Sequence, residues 1–285
     1  MCSFSRYCKI RAKIREKNRI HHLRAIFVLM TANKKIRWGL ALGGGGARGV
    51  THVGVLKALE ESGIRPSVIA GTSIGAIVGG FYAGGLSPEE LLKYFRKQSW
   101  VRTFGLKPGL SAFLEMKSLR NLLESHLPED FSELGIPFCC GVTDISARVN
   151  TVLDSGNLHS AITASASIPL LFSPVKIDGV KYLDGGITDN IPSAALKGKC
   201  DKIIAVDVNH TAVPGSADNM KDIAIEVFLT VLKMNSKAGR EAADYVISPE
   251  MGNEFDLLDF SKADELYARG YEEGKRQIAA FFESA

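Results

Sequence analysis

No stretch of this 285-residue chain is long and apolar enough to be read as a membrane span. The longest apolar run near its start, Ala25 to Met30, falls far short of the roughly 20 residues a bilayer requires. Cysteine is scarce: Cys2, Cys8, Cys139, Cys140 and Cys200 form no C-x-x-C pair, which argues against a disulfide framework and fits a reducing compartment. The six histidines are scattered, and neither they nor the cysteines have metal-ligand spacing, so no metal and no cofactor is expected. Internal repeats and low-complexity linkers are also missing. A secretory signal is not expected, because the charged region is too long and Met30-Thr31-Ala32 is no small-x-small cleavage site.

What is present is an ordinary globular balance, 46% hydrophobic and 23% charged, in a length that one α/β domain can use. The net charge of +4 is unevenly spread. Residues 1–37 hold eleven Lys or Arg against Glu16 alone, leaving 24 basic and 30 acidic residues in the remainder. The division expected is a basic arm over 1–36 and a catalytic domain over 37–285. Two readings of the arm stay open: a disordered tail that adheres to anionic membrane, or an upstream extension of a chain whose real start is Met30. A cytoplasmic location, with peripheral contact at a membrane, is the matching expectation.

From Trp38 short apolar runs alternate with amphipathic stretches, the pattern of a mainly parallel sheet flanked by helices. Strands are expected at Trp38–Leu42, Pro66–Ala70, Pro137–Val142, Val149–Leu153, Val175–Leu183 (with an Asp178-Gly179 turn inside it) and Lys202–Val208. Helices are expected over Arg48–Ser62, Ile74–Ala83, from Ser87-Pro88-Glu89-Glu90 onward, and near 217–240 and 262–282. Adjacent on a strand, Cys139 and Cys140 would point to opposite faces. The apolar stretch Trp100–Met116 follows neither period, and its part up to Leu114 is expected at the mouth of a site.

Three local patterns carry chemistry. Gly71-Thr72-Ser73-Ile74-Gly75 is G-x-S-x-G, a serine held at a strand-to-helix turn with glycines where a Cβ would obstruct it. In a chain with 28 glycines that pattern alone is weak, but here an apolar strand precedes it and an apolar helix follows. Gly43 to Gly49, GGGGARG, also sits between strand and helix, and its consecutive backbone amides make an anion site. It lacks the Gly-Lys-Ser/Thr ending of a phosphate loop. It contains G-x-G-x-x-G, but the end of the second strand offers Ala70-Gly71-Thr72-Ser73 where a dinucleotide fold needs an acidic ribose ligand. The third pattern, Asp184-Gly185-Gly186, ends a strand-like run. None of His21, His22, His52, His126, His159 or His210 has neighbours that suit a triad, so an aspartate acting directly on the serine is the simpler base. Burial would have to raise its pKa toward the working range.

In this order, with Ala164-Ser165-Ala166-Ser167-Ile168-Pro169 as a fourth block, the chain resembles the patatin-like phospholipase family over about residues 37–212. The resemblance implies a three-layer α/β fold with a mainly parallel central sheet. It implies a serine lipid acyl hydrolase of the phospholipase A or lysophospholipase type, with Ser73 as nucleophile and Asp184 as base. Gly44, Gly45 and Gly46 would form the oxyanion hole, and Arg48 would support their loop. The implied partner is a lipid or other acyl ester; nucleic acid is not expected. Two alternatives stay open: an acyltransferase or thioesterase working on acyl carriers, and a non-catalytic regulatory protein that kept the fold.

Overall fold

The computed structural model describes residues 36–96, 110–210, 218–251, 255 and 259–283, and for 110–115 and 221 the backbone alone. The basic arm through residue 35 and the apolar stretch from Trp100 to residue 109 lie outside the described residues, as do the side chains of 110–115. In chain order the first elements are β1 (Trp38–Leu42), helix α1 (Val50–Glu61), β2 (Pro66–Thr72), α2 (Ile74–Ala83), α3 (Pro88–Arg96), α4 (Leu110–His126), β3 (Phe138–Asp144) and β4 (Val149–Leu153). There follow α5 (Leu158–Ser165), β5 (Val175–Ile177), β6 (Val180–Asp184), β7 (Lys202–Val206), α6 (Met220–Asn235), α7 (Lys237–Ala242), β8 (Tyr245–Ile247) and α8 (Ala263–Glu283).

The strands make one sheet ordered β5-β6-β3-β2-β1-β7-β8, with β4 paired to β3. Strands β3, β2, β1, β7 and β8 run parallel, while β4 and β6 are antiparallel to β3. The two faces differ in side-chain size. Leu40, Leu42, Ile69, Cys140, Ile204 and Val206 join the larger core with the helices. On the other face Ala41, Ala70, Cys139 and Ala205 are small, so the irregular segment carrying Ile191 and Leu196 lies close against the sheet. The result is three layers, and the two adjacent cysteines do fall on opposite faces.

Local chemistry explains several boundaries. Ser87 and Glu90 cap α3 reciprocally, with the Glu90 amide donating to Ser87 Oγ at 3.3 Å and the Ser87 amide to Glu90 Oε2 at 2.9 Å. Asp178 and Gly179 take φ values of 48° and 87°, the turn that joins β5 to β6 as a hairpin. Helix α5 was not expected from the sequence; Asn157 caps it by accepting the Ser160 amide at 2.8 Å. Among the described residues no helix is long and apolar enough to cross a membrane.

Two features of the topology set up the site. The chain leaves β1 toward β2 and β3, then returns to β7 on the other side of β1. That makes the C-terminal end of β1 a switch point, where open α/β sheets hold ligands. The second feature concerns β3. Its residues 140–144 pair with β4 along one edge, so β2 (up to Thr72↔Gly141) and β6 (from Asp184↔Val142) must share the other edge, end to end. Strand β2 delivers Ser73 and strand β6 delivers Asp184 to one point from opposite directions.

Candidate active site

Ser73 stands between β2 and α2 with φ 57° and ψ −125°, a backbone conformation that side-chain-bearing residues rarely adopt. The strain is held in place by packing and bonding. The Ser73 amide donates to Ser165 Oγ at 2.9 Å, whose own hydroxyl donates to the Gly141 carbonyl at 2.7 Å. The Ser73 carbonyl accepts the Ala76 and Ile77 amides and so starts α2. The flanking glycines are required by contact. A Cβ on Gly71 would lie 2.4 Å from the Gly75 carbonyl oxygen, and one on Gly75 would lie 2.2 Å from that of Leu42. The turn is therefore jammed against the end of β1, where the glycine loop begins.

Asp184 is completely buried. Its amide donates to the Ser167 carbonyl at 2.9 Å, and its carbonyl accepts the Thr143 hydroxyl at 2.9 Å. Carboxylate Oδ1 accepts the Gly186 amide at 2.8 Å, whereas Oδ2 has no hydrogen-bond partner among the described residues. Burial pushes this carboxyl up to about 7, opposed by the Ser73 side chain and the Gly186 amide. The pull from Ser73 means that its hydroxyl neighbours the carboxyl, although no formed hydrogen bond joins them. Gly185 must be glycine because a Cβ there would lie 2.3 Å from the Gly141 carbonyl oxygen, against the strand that positions Asp184.

The loop after β1 is fixed from several sides. The Gly43 amide donates to Val206 O at 3.1 Å, extending the β1–β7 ladder. The Gly44 amide is engaged by Asn190, through both its carbonyl (3.2 Å) and its Oδ1 (3.1 Å), and Asn190 Nδ2 donates to Ser236 Oγ at 2.9 Å. Asn209 Nδ2 donates to the Gly44 carbonyl. Both backbone groups of Gly44 are thus committed, while Gly45 and Gly46 stand at the head of the short helical turn Gly46–Gly49, where the first amides have no partner within the turn. Gly44 is held by hydrogen bonds to Asn190 and Asn209. A Cβ on it would lie 3.0 Å from Ser73 Cβ, so the loop passes directly beside the serine.

Arg48 is buried rather than solvent-exposed. Its Nε donates to the Phe255 carbonyl at 3.0 Å and one terminal nitrogen to Asn209 Oδ1 at 3.4 Å, so it steadies the asparagine that grips Gly44. Asn209 is itself set by its amide, which donates to Asp207 Oδ1 at 3.0 Å, and Asp207 pairs with Arg240 at 2.9 Å. His52 is also buried, with Nε2 2.7 Å from the Gly43 carbonyl. A carbonyl only accepts, so Nε2 carries the proton; burial holds the imidazole neutral by lowering its pKa to about 4. It braces the loop and contacts neither Ser73 nor Asp184 by hydrogen bond. His126 and His159 bond to the carbonyls of Leu122 and Leu127, and His210 is exposed. His21 and His22 lie outside the described residues.

Sequence reading missed Ser165, Asn190, Asn209 and the bracing by His52. Ser165 lay inside a recognised block, but nothing local to it indicates that its hydroxyl reaches an amide 92 residues away. A second carboxyl, Asp189, is half-buried and pushed up to about 6 by burial; its Oδ1 has no hydrogen-bond partner among the described residues. Only its carbonyl meets the elbow, accepting the Thr72 hydroxyl at 3.2 Å. No group of three or more His, Cys, Asp or Glu able to hold a metal occurs among the described residues.

A model of the patatin-like phospholipase family matches residues 40–197. The chain is similar to a protein named lysophospholipase NTE1 from Lodderomyces elongisporus, at 30% identity over 81% of this chain and 18% of that protein. It is also similar to an uncharacterized NTE family protein of Mycobacterium bovis, at 36% identity over 67% of this chain and 54% of that protein. The chain therefore spans less than a fifth of the yeast relative and about half of the mycobacterial one. Among solved structures, VipD from Legionella pneumophila shares the fold with a TM-score of 0.54 at 15% identity, over 87% of this chain and 67% of that one.

Proposed function

The chain belongs to the patatin-like phospholipase family, and from that membership we propose that it hydrolyses acyl esters of lipids with Ser73 as nucleophile and Asp184 as base. The observation that carries the reading is the meeting of Ser73, on a strained elbow, with a buried carboxylate whose Oδ2 has no hydrogen-bond partner among the described residues, beside the glycine loop. The relatives named as lysophospholipases support a monoacyl phospholipid, and the family's description as phospholipases a phospholipid more broadly, as the substrate class.

The chemistry follows from the groups present. Ionised Asp184 takes the Ser73 hydroxyl proton on Oδ2 as Oγ bonds to the ester carbonyl carbon. The negative charge that moves to the carbonyl oxygen is met by the Gly45 and Gly46 amides at the head of the helical turn. The C–O bond to the alcohol then breaks, and Asp184 returns its proton to the leaving oxygen, leaving an acyl ester on Ser73. Water repeats the sequence with Asp184 as base, releasing a fatty acid and restoring both groups. A carboxyl of ordinary pKa would be too weak a base; one at about 7 is half ionised at neutral pH and much closer in affinity to the proton it must hold.

The test is release of fatty acid from a lysophospholipid, a diacyl phospholipid and a short p-nitrophenyl ester by the full chain and by Ser73→Ala. Loss of at least about a thousandfold in kcat/KM is expected. Activity in Ser73→Ala within about tenfold of the unsubstituted protein removes the nucleophile assignment.

A further inference from the structure

Helix α6 has two unlike sides. Phe228 and Leu232 are buried, and Ile225 and Leu229 pack half-buried on the main core. Its C-terminal end reaches the site. Leu232 covers Gly186, Asn235 Nδ2 donates to the carbonyls of Gly186 (3.3 Å) and Ile187, and Ser236 just past the helix holds Asn190. The outer side carries Met220, Ile223, Val227 and Met234, exposed by 80%, 41%, 58% and 71%. At 100° per residue these four fall within an arc of about 60° and form a stripe about 21 Å long. Exposed apolar side chains scattered singly are ordinary; four aligned on one helix are not.

Charge is unevenly spread along the helix. By sequence, the half remote from the catalytic loop carries Asp218, Asp222 and Glu226 against Lys221. At the end beside it, Lys233, Lys237 and Arg240 line a cavity of about 280 Å³ together with Asp207 and Glu241. Arg240 is paired to Asp207, and Lys237 lies 3.9 Å from Glu241. Lys233 is exposed and has no ion pair among the described residues. A second copy of the chain fits the stripe less well. The 3-4 spacing of a two-helix seam lasts only two heptads and meets Thr230, whereas sustained coiled coils need at least three or four. Four side chains also offer well under the roughly 800 Å² per partner of a stable interface.

We propose that this face of α6 docks on an anionic lipid surface. Met220, Ile223, Val227 and Met234 enter the boundary between headgroups and acyl chains, and Lys233 and Lys237 face lipid phosphates. The basic end is the one that touches the Asp184 loop, so docking sets the catalytic end of the molecule at the headgroup level. The choice of a lipid occupant rests on the hydrolase reading.

The experiment is flotation of the full chain carrying Ser73→Ala, which leaves the vesicles intact, with phosphatidylcholine vesicles holding about 30% phosphatidylglycerol. Salt is set at about 0.1 and about 0.5 M, the higher concentration screening electrostatic binding by the basic arm. Val227→Glu and Met234→Glu are expected to weaken binding by at least about tenfold at both salts. In protein with Ser73 intact, each should leave soluble-ester turnover within about twofold, since neither side chain touches the site. Lys233→Gln should weaken binding at the lower salt only. Unchanged vesicle binding in the two Glu variants overturns the proposal. So does a dimer of the unsubstituted chain that Val227→Glu dissociates, or loss of soluble-ester turnover alongside vesicle binding. Docking that depends on these residues in a protein that hydrolyses no lipid would uphold the surface and remove the hydrolase reading instead.

Discussion

Replacing Asp184 by Asn separates the stability of the fold from its chemistry. In an unfolded chain an aspartate titrates near 3.9; in the folded protein burial raises Asp184 to about 7. Folding therefore favours the protonated form, and this group's stabilisation is complete below the unfolded value and lost as pH rises toward the folded one. About three units at 1.36 kcal/mol each give a swing of roughly 4 kcal/mol, of which about 2.5 kcal/mol falls between pH 5 and pH 8. Asn keeps the acceptor for the Gly186 amide and carries no charge, so the swing should vanish from the variant. Urea denaturation of both proteins at pH 5, 6, 7 and 8 measures it. The difference between the two stability curves should shift in favour of Asp184→Asn by about 2.5 kcal/mol from pH 5 to pH 8, with the variant inactive throughout. Curves that stay parallel from pH 5 to pH 8 would refute the claim that Asp184 is a buried, high-pKa carboxyl.

With Asp184 as the proposed base, kcat/KM for a soluble ester should rise with pH to a plateau, with a midpoint near 7, because only the ionised carboxylate can accept a proton. Asp189→Asn should leave that midpoint in place and activity within about tenfold, because the Asp189 carboxyl has no described contact with Ser73; a shift of the midpoint would make Asp189 the base. His52→Ala should cost about 2–4 kcal/mol through the cavity and the lost brace on Gly43. Its surviving rate should show an unchanged midpoint, whereas a histidine base would remove the titration; urea melts and a pH–rate profile check both. Ser73→Gly should be inactive yet at least as stable as the unsubstituted protein, because glycine adopts φ 57° without the strain that Ser73 bears. A clear loss of stability in that variant would mean that the elbow is not strained.

Much of this fold could be read directly from the sequence because its local signals are strong. The β1 run, the Asp178-Gly179 turn, the Ser87–Glu90 cap and the elbow each depend on residues a few positions apart. Helix α5 escaped notice because eight residues of mixed polarity show no clear period. What sequence could not reach is the long-range pairing. That β2 and β6 abut along one edge of β3 follows only from the ladder, and it is this junction that brings Ser73 to Asp184. For the same reason the three loop glycines look equivalent in sequence, whereas Asn190, 146 residues from Gly44, has already taken the Gly44 amide. Arg48 and His52 read as helix residues with an open choice of environment, and tertiary burial turns both into braces for the loop.

The central claim is a two-residue catalytic unit, Ser73 activated by Asp184 without a histidine, and a fluorophosphonate probe tests it most directly. The full chain, Ser73→Ala, Asp184→Asn and alanine replacements of His126, His159 and His210 are treated at neutral pH, and the adduct is mapped by peptide mass. A single adduct on Ser73 is expected in the unsubstituted protein and in all three histidine variants, absent from Ser73→Ala and slowed by at least about a hundredfold in Asp184→Asn. Labelling of Asp184→Asn at the unsubstituted rate, or its loss on replacing one histidine in a protein that remains folded, would contradict the dyad.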